Sequence, residues 1–326
     1  MSSAPHDDFE QLVERYRKEI KVHCYRMLGS SHDCDDAVQE TWLRAWRARD
    51  GLRDAALIRP WLYRIATNVC LDELKRRPRR ILPTELFAAA ADPMAPIRTP
   101  VDEPIWLEPM PGSWLEASAE TDPLTRYSLK ESVRLAFIAV LQHLTAAQRA
   151  VLLLRDVVGL SAHETAAALT LSVPAANSAL FRARKAIGTK LGPSSGAAHD
   201  VNEEVLGRYL RAWEADDVDG LVALLHNDVR TTMPPSPTWI AGHFANAAFY
   251  SAMIAAQGPR TFRMERTQAN DQPAFAVYRK GSAGESYVLR AIQVLGLNGA
   301  KIVNIDHFMQ TDVLTTFDLP LALRRD

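Results

Sequence analysis

The sequence predicts a multidomain chain, two all-α modules followed by an α+β domain, and three observations point there. Residues 9–80 read as helical throughout, with no alternating strand pattern and little Gly or Pro. Residues 83–123 then carry eight prolines, and from Glu85 to Asp122 eight acidic residues face one basic residue, Arg98, a net charge of −7. Near the C-terminus, segments 261–268, 273–279, 286–297 and 301–308 look like strands, with Gly281-Ser282-Ala283-Gly284 and Asn298-Gly299 as hairpin turns.

The boundaries that follow are a helical module over 9–80, an acidic Pro-rich linker over 81–125, a second helical module over 126–191, and an α+β domain over 200–326. A length of 326 residues suits two or three domains. The linker composition predicts an extended tether with poor means of forming its own core. Gly192 to Gly196 is a second, short linker.

Composition excludes several classes. With 47% hydrophobic and 24% charged residues the chain reads as an ordinary globular protein. No apolar run is long enough for a bilayer, and Met1 to Glu10 has no signal-peptide core, so a cytoplasmic location is expected. Cys24, Cys34 and Cys70 form no CxxC pair and read as buried free thiols, with no disulfide, metal site or cofactor expected. The formal net charge of −1 hides an uneven distribution. Residues 124–191 carry nine basic and three acidic side chains, a footprint suited to nucleic acid.

Gly159 to Pro174 is the sharpest local signal. Ser161 and Glu164 form a capping box ahead of a short helix, Thr170-Leu171 makes a tight turn, and Ser172 caps a second helix with Pro174 in its first turn. Val173, Ala176, Leu180 and Ala183 fall on one side of that helix. Asn177, Ser178, Phe181, Arg182 and Lys185 fall on the other. A major-groove recognition helix needs this division. The plainer alternative is a helical hairpin with a solvated basic face.

In the first module, Asp33, Asp35 and Asp36 suit a helix N-terminus, followed by Val38, Trp42, Ala45 and Trp46 at helical spacing. Pro60 starts the next helix, with Leu62, Ile65, Ala66 and Val69 as its buried stripe. Arg64, Asn68, Asp72 and Lys75 share another face, flanked by Trp61 and Tyr63 and ended by the basic run from Lys75 through Arg76 to Arg80. Rings beside polar and cationic groups suit single-stranded nucleic acid.

These segments together resemble a known pair. Asp33 to Trp46 followed by Arg59 to Lys75 is similar to region 2 of extracytoplasmic-function (ECF) sigma factors of RNA polymerase, and Leu144 to Arg155 with the helix-turn-helix through Lys185 resembles region 4. The resemblance implies that Asp36, Gln39, Glu40 and Arg44 dock the polymerase clamp, that Trp61, Asn68 and Asp72 hold the unpaired −10 strand, and that the second helix of the helix-turn-helix, with Ser172 at its start, reads the −35 element. It also implies a second contact with the flap and a linker threading toward the RNA exit path. The sequence departs from the family at Pro174, Asn177 and Ala179, where basic residues and a glycine are usual, which implies weaker −35 binding with a shallower salt dependence.

Residues 203–240 resemble SnoaL-like domains, which fold as a cone around a pocket, and Trp106-Leu107-Glu108-Pro109 looks like the linker motif of the SigG-like group of ECF factors that end in this domain. Met233, Trp239, Tyr250, Phe275, Tyr278 and Phe308 are the candidate pocket residues for a small unknown ligand. Asp306 and His307, adjacent on one strand, must point to opposite faces, and His226 and His243 are further candidates for acid–base chemistry. Catalysis is not expected; a regulatory role is. The competing readings are a helix-turn-helix regulator with a ligand-sensing domain and an isomerase- or cyclase-like pocket enzyme fused to a DNA-binding module.

Overall fold

The structure is a computed structural model that describes residues 5–52, 54–77, 79–101, 106–115, 130–191, 202–258, 260–281 and 286–324. The turn at 282–284, the short linker at 192–196 and residues 116–125 lie outside the described set. The chain divides into two compact units, one of residues 1–80 with 113–196 and one of residues 81–112 with 197–326.

The first unit is helical. Its front half holds α1 (Pro5–Glu14), α2 (Arg17–Leu28), α3 (His32–Ala48) and α4 (Ile58–Leu74). Gly29, at φ 69°, ends α2 in the left-handed conformation that glycine adopts without strain. The predicted stripe of α4 is buried at Leu62, Ala66 and Val69, and Cys24, Cys34 and Cys70 are buried free thiols. Its back half holds α5 (Leu135–Gln142), α6 (Ala146–Leu152), α7 (Ala162–Leu169) and α8 (Val173–Leu191), with α6 widening into a π-type turn over Leu153–Val157. Two capping boxes, Thr145 with Gln148 and Ser161 with Glu164, start α6 and α7.

The second unit contains α9 (Glu203–Glu214), α10 (Val218–Val222), α11 (His243–Gln257) and α12 (Thr311–Thr316) around a seven-stranded mixed sheet. The strands are β1 (Leu225–Thr232), β2 (Trp239–Ala241), β3 (Phe262–Ala269), β4 (Gln272–Lys280), β5 (Ser286–Asn298), β6 (Lys301–Phe308) and β7 (Ala322–Arg324). They run in the order β2-β1-β6-β5-β4-β3, with β7 on β5 and only the β1–β6 pair parallel. The four expected strands are present within a residue or so of their expected ends; β1, β2 and β7 were not anticipated.

The acidic segment differs from the free tether its composition suggests, because residues 81–112 fold into the second unit. The Trp239 indole donates to the Phe87 carbonyl (2.8 Å) and the Ala90 amide to the Trp239 carbonyl (2.9 Å). Val101 N–H reaches the Pro235 carbonyl (3.2 Å), and Met110 and Asn270 exchange two bonds of 2.8 and 2.9 Å. Trp106, Leu107 and Met110 are buried. Gly112 passes so close to Gln268 that a Cβ would lie 2.6 Å from its side chain. The prolines preclude a regular ladder, yet these apolar anchors supply what the segment lacks alone, a core borrowed from the domain.

Candidate polymerase and nucleic-acid interface

The second helix of the helix-turn-helix, α8, divides as its sequence requires. Ala176, Ala179, Leu180 and Ala183 are buried, while Ser172, Asn177, Ser178, Arg182 and Lys185 are exposed and Phe181 is 70% exposed. The Ser172 hydroxyl accepts from the Ala175 amide at 3.3 Å, the expected cap. Thr170, at φ 54°, makes the turn between α7 and α8. Arg182 donates to the Ser178 hydroxyl (2.7 Å), which orients its guanidinium along the exposed face.

The region-2 face is more occupied. Arg44 bonds Glu40 (2.7 Å) along α3 and reaches across to Asp72 of α4 (3.1 Å), whose other oxygen takes Lys75 at 3.0 Å. The Lys75 and Arg44 hydrogen bonds hold the Asp72 carboxyl below its ordinary range. Residues expected to face the polymerase (Glu40, Arg44) and the single strand (Asp72, Lys75) thus form one network. Asp36, Gln39, Arg64 and Arg76 are exposed. Trp61 is half-buried against Phe9, at 6.3 Å between ring centroids, and Trp46 packs on the same Phe9 at 6.0 Å.

Part of the charge expected at the surface is structural. Asp33 sits in the first turn of α3 and is buried, bonded to Arg77 (2.7 Å) and Arg80 (2.5 Å). Burial alone would raise its carboxyl; the two guanidinium groups, Arg80 foremost, hold it below the usual range instead. Two of the cations in the basic run therefore brace the region-2 fold.

Sequence reasoning missed the cations that tie the two helical halves together. Arg149 is buried, bonding Leu141 O (2.9 Å) and Gln142 Oε1 (2.8 Å) in its own half and the Met27 carbonyl in the other. Burial brings its pKa down to about 10. Arg59 donates to Val158 O (3.2 Å) and to Glu19 (3.1 Å). The Asn68 amide donates to Arg64 O (2.9 Å) and to Ala168 O (3.3 Å). The acceptors that these three residues reach in the opposite half, Met27 O, Val158 O and Ala168 O, are backbone carbonyls, which leave no residue-type signal in the sequence.

In the second unit the six candidate pocket residues do not share one face. Met233, Tyr250 and Phe275 belong to the core cluster beneath α9 and α11. Tyr278 and Phe308 are fully buried on the opposite face of the sheet, and half-buried Trp239 holds the Phe87 carbonyl. His307 lies beside the Gln293 amide (3.2 Å), and Gln293 accepts from the Tyr209 hydroxyl (2.7 Å); burial lowers the His307 pKa to about 4. Asp306, on the other face, accepts from the Thr232 hydroxyl (2.7 Å), and burial raises its carboxyl to about 6. His243 lies 3.2 Å from the Val222 carbonyl and His226 accepts from the Asp228 amide, so neither joins these groups. Among the described residues no cluster of three His, Cys, Asp or Glu could hold a metal, and no helix is long and apolar enough to cross a membrane.

A helical bundle with a paired polar face, a capped helix-turn-helix and a SnoaL-like sheet define a sigma-70-type transcription factor with an appended domain. Family models agree: residues 12–80 match sigma-70 region 2, residues 134–187 sigma-70 region 4, and residues 206–305 a SnoaL-like domain. The chain is 41% identical over 321 residues to the ECF RNA polymerase sigma factor SigG of Mycobacterium tuberculosis, spanning 97% of this chain and 85% of that one. It is 30% identical over 255 residues to SigJ of the same organism, 76% of this chain and 74% of the relative. The crystal structure of SigJ aligns with a TM-score of 0.61 at 25% identity, over 96% of this chain and 99% of that one. The chain belongs to the ECF RNA polymerase sigma factors and carries a C-terminal SnoaL-like domain.

Proposed function

We propose that this sigma factor docks core RNA polymerase at the clamp through Asp36, Gln39, Glu40 and Arg44. It holds the unpaired −10 strand on α4 and the two residues just past its end, through Trp61, Arg64, Asn68, Asp72, Lys75 and Arg76. It reads the −35 duplex with Ser172, Asn177, Ser178, Arg182 and Lys185 while region 4 rests on the flap. The observation that supports this most is the division of α8, with Ala176, Ala179, Leu180 and Ala183 inward and Asn177, Ser178, Arg182 and Lys185 outward beside exposed Phe181, behind two side-chain-capped turns. Such a face suits base edges and phosphates in a major groove.

The SnoaL-like domain modulates the factor through the linker. Two of its interior pairs are closed, Tyr209 with Gln293 and Thr231 with Asn246 (2.6 Å), while the Trp213 indole N–H and the Tyr278 hydroxyl are buried without a hydrogen-bond partner among the described residues; the linker seated on Trp239 and Asn270 is what supports linker holding. For the linker to thread through polymerase, residues 81–112 would have to peel from Trp239 and Asn270. Co-purification of the full chain with bacterial core polymerase tests the docking assignment. Wild type should be retained and Arg44→Glu retained at least tenfold less; failure of the wild type to associate would end this reading.

A further inference from the structure

We infer that Phe9 is a positioning residue for the −10 strand: it sets the orientation of the Trp61 ring, so that the indole meets an unpaired base already aligned. This rests on the −10 assignment of Trp61 above. The other proposed contacts on α4 are oriented by hydrogen bonds. The Asn68 amide donates to Arg64 O (2.9 Å), and the Asp72 carboxylate accepts from Arg44 (3.1 Å) and Lys75 (3.0 Å). Trp61, in the first turn of α4, has no such tether among the described residues. What its ring meets is Phe9 of α1, edge-on, with 6.3 Å between centroids and 77° between planes.

Phe9 can brace Trp61 because it is itself anchored. It also meets Trp46 of α3 edge-on, at 6.0 Å and 61°. Edge-to-face contact is an arrangement that aromatic quadrupoles prefer. The Arg49 guanidinium lies over Trp46, 4.4 Å from the ring centroid, and donates to the Trp46 carbonyl (2.8 Å). Val13, one turn beyond Phe9 on the same side of α1, is buried and seats that helix. These rings differ from the core aromatics of this half. Tyr25 and Tyr63 are buried, whereas Phe9, Trp46 and Trp61 are all half-buried. The Trp61 ring thus stays accessible to solvent while an edge contact limits its rotation. A base that stacks on a ring of settled orientation costs less side-chain entropy, a gain of roughly two- to tenfold in binding.

A double-mutant cycle in the holoenzyme tests this. The readout is permanganate reactivity of unpaired thymines on a bacterial genomic fragment from which the full chain directs RNA. Trp61→Ala should lower opening about tenfold. Phe9→Leu, which keeps an apolar side chain to seat α1, should lower it roughly two- to tenfold in the wild-type background. In the Trp61→Ala background the same change should alter opening by less than about twofold, because Phe9 acts through Trp61. Phe9→Tyr keeps the ring and should restore opening. In a chain labelled with 5-fluorotryptophan, the fluorine resonance lost in Trp61→Phe should shift in Phe9→Leu and hold its place in Phe9→Tyr. Equal losses from Phe9→Leu in both backgrounds, no loss in either, or loss of retention on core polymerase would overturn the inference and spare the −10 assignment. Opening indifferent to Trp61→Ala, or no opening with the wild type, would overturn that assignment and the inference with it.

Discussion

Regions 2 and 4 present the faces proposed to bind in opposite conditions. On α4, Asn68, Asp72 and Lys75 are engaged by partners within the chain, and the acid at the head of α3 is sunk between two arginines. On α8 the outer residues Asn177, Ser178 and Lys185 stand open to solvent, and an apolar stripe, the Ser172 hydroxyl cap and the Arg184–Asp156 pair (2.7 Å) do the holding. In region 2, charge builds the fold and the proposed binding face at once, so substitutions there are expected to mix stability with function. In region 4 the two are separated by helix face.

The largest expected effect lies where charge is structural. Asp33→Ala leaves Arg80, only 7% exposed, without its carboxylate, and should cost about 3–5 kcal/mol in urea unfolding. Because the folded Asp33 carboxyl titrates below its unfolded value, its stabilisation is complete above the unfolded pKa and lost as pH falls through the folded one. A loss under 1 kcal/mol would remove the contrast between the regions.

Asp306 sharpens it as a buried aspartate bonded to a hydroxyl rather than a guanidinium. Its folded pKa of about 6 lies above the ordinary aspartate value of 3.8, so the folded state binds the proton more tightly. Its contribution is therefore full below about pH 4 and fades as pH rises toward 6. Asp306→Asn should stabilise the C-terminal domain at pH 7.5 by up to about 3 kcal/mol and little at pH 4. Equal effects at both values would refute the assignment.

Region 4 should respond more mildly, with two outcomes kept apart. Ser161→Ala removes the cap on α7 and should cost about 1 kcal/mol of stability. Lys185→Ala should leave unfolding within about 0.5 kcal/mol of wild type and lower the salt slope of duplex binding by about one. A Lys185 variant that unfolds early would show that the outer face of α8 is part of the core.

Local pattern was legible and distant pairing was not. The Ser161–Glu164 box, the Ser172 cap and the Ala176–Leu180–Ala183 stripe each lie within one or two turns of sequence, and the structure reproduces them. Asp33 looked like a helix-dipole partner because its arginines lie 44 and 47 residues away. The linker looked like a tether because prolines and acids dominate its composition, while the surface that seats Met110 belongs to Asn270, 160 residues on. The candidate pocket set, five aromatic residues and Met233, rests on residue type; strand alternation separates Phe275 from Tyr278, and both side chains are buried.

Multi-round run-off transcription on bacterial genomic fragments, with core polymerase plus the purified full chain, tests the central claim most directly. RNA starting at discrete sites is predicted, lost with Asn68→Ala and weakened with Lys185→Ala. No chain-dependent start site on any fragment, from protein shown to be folded, would contradict it.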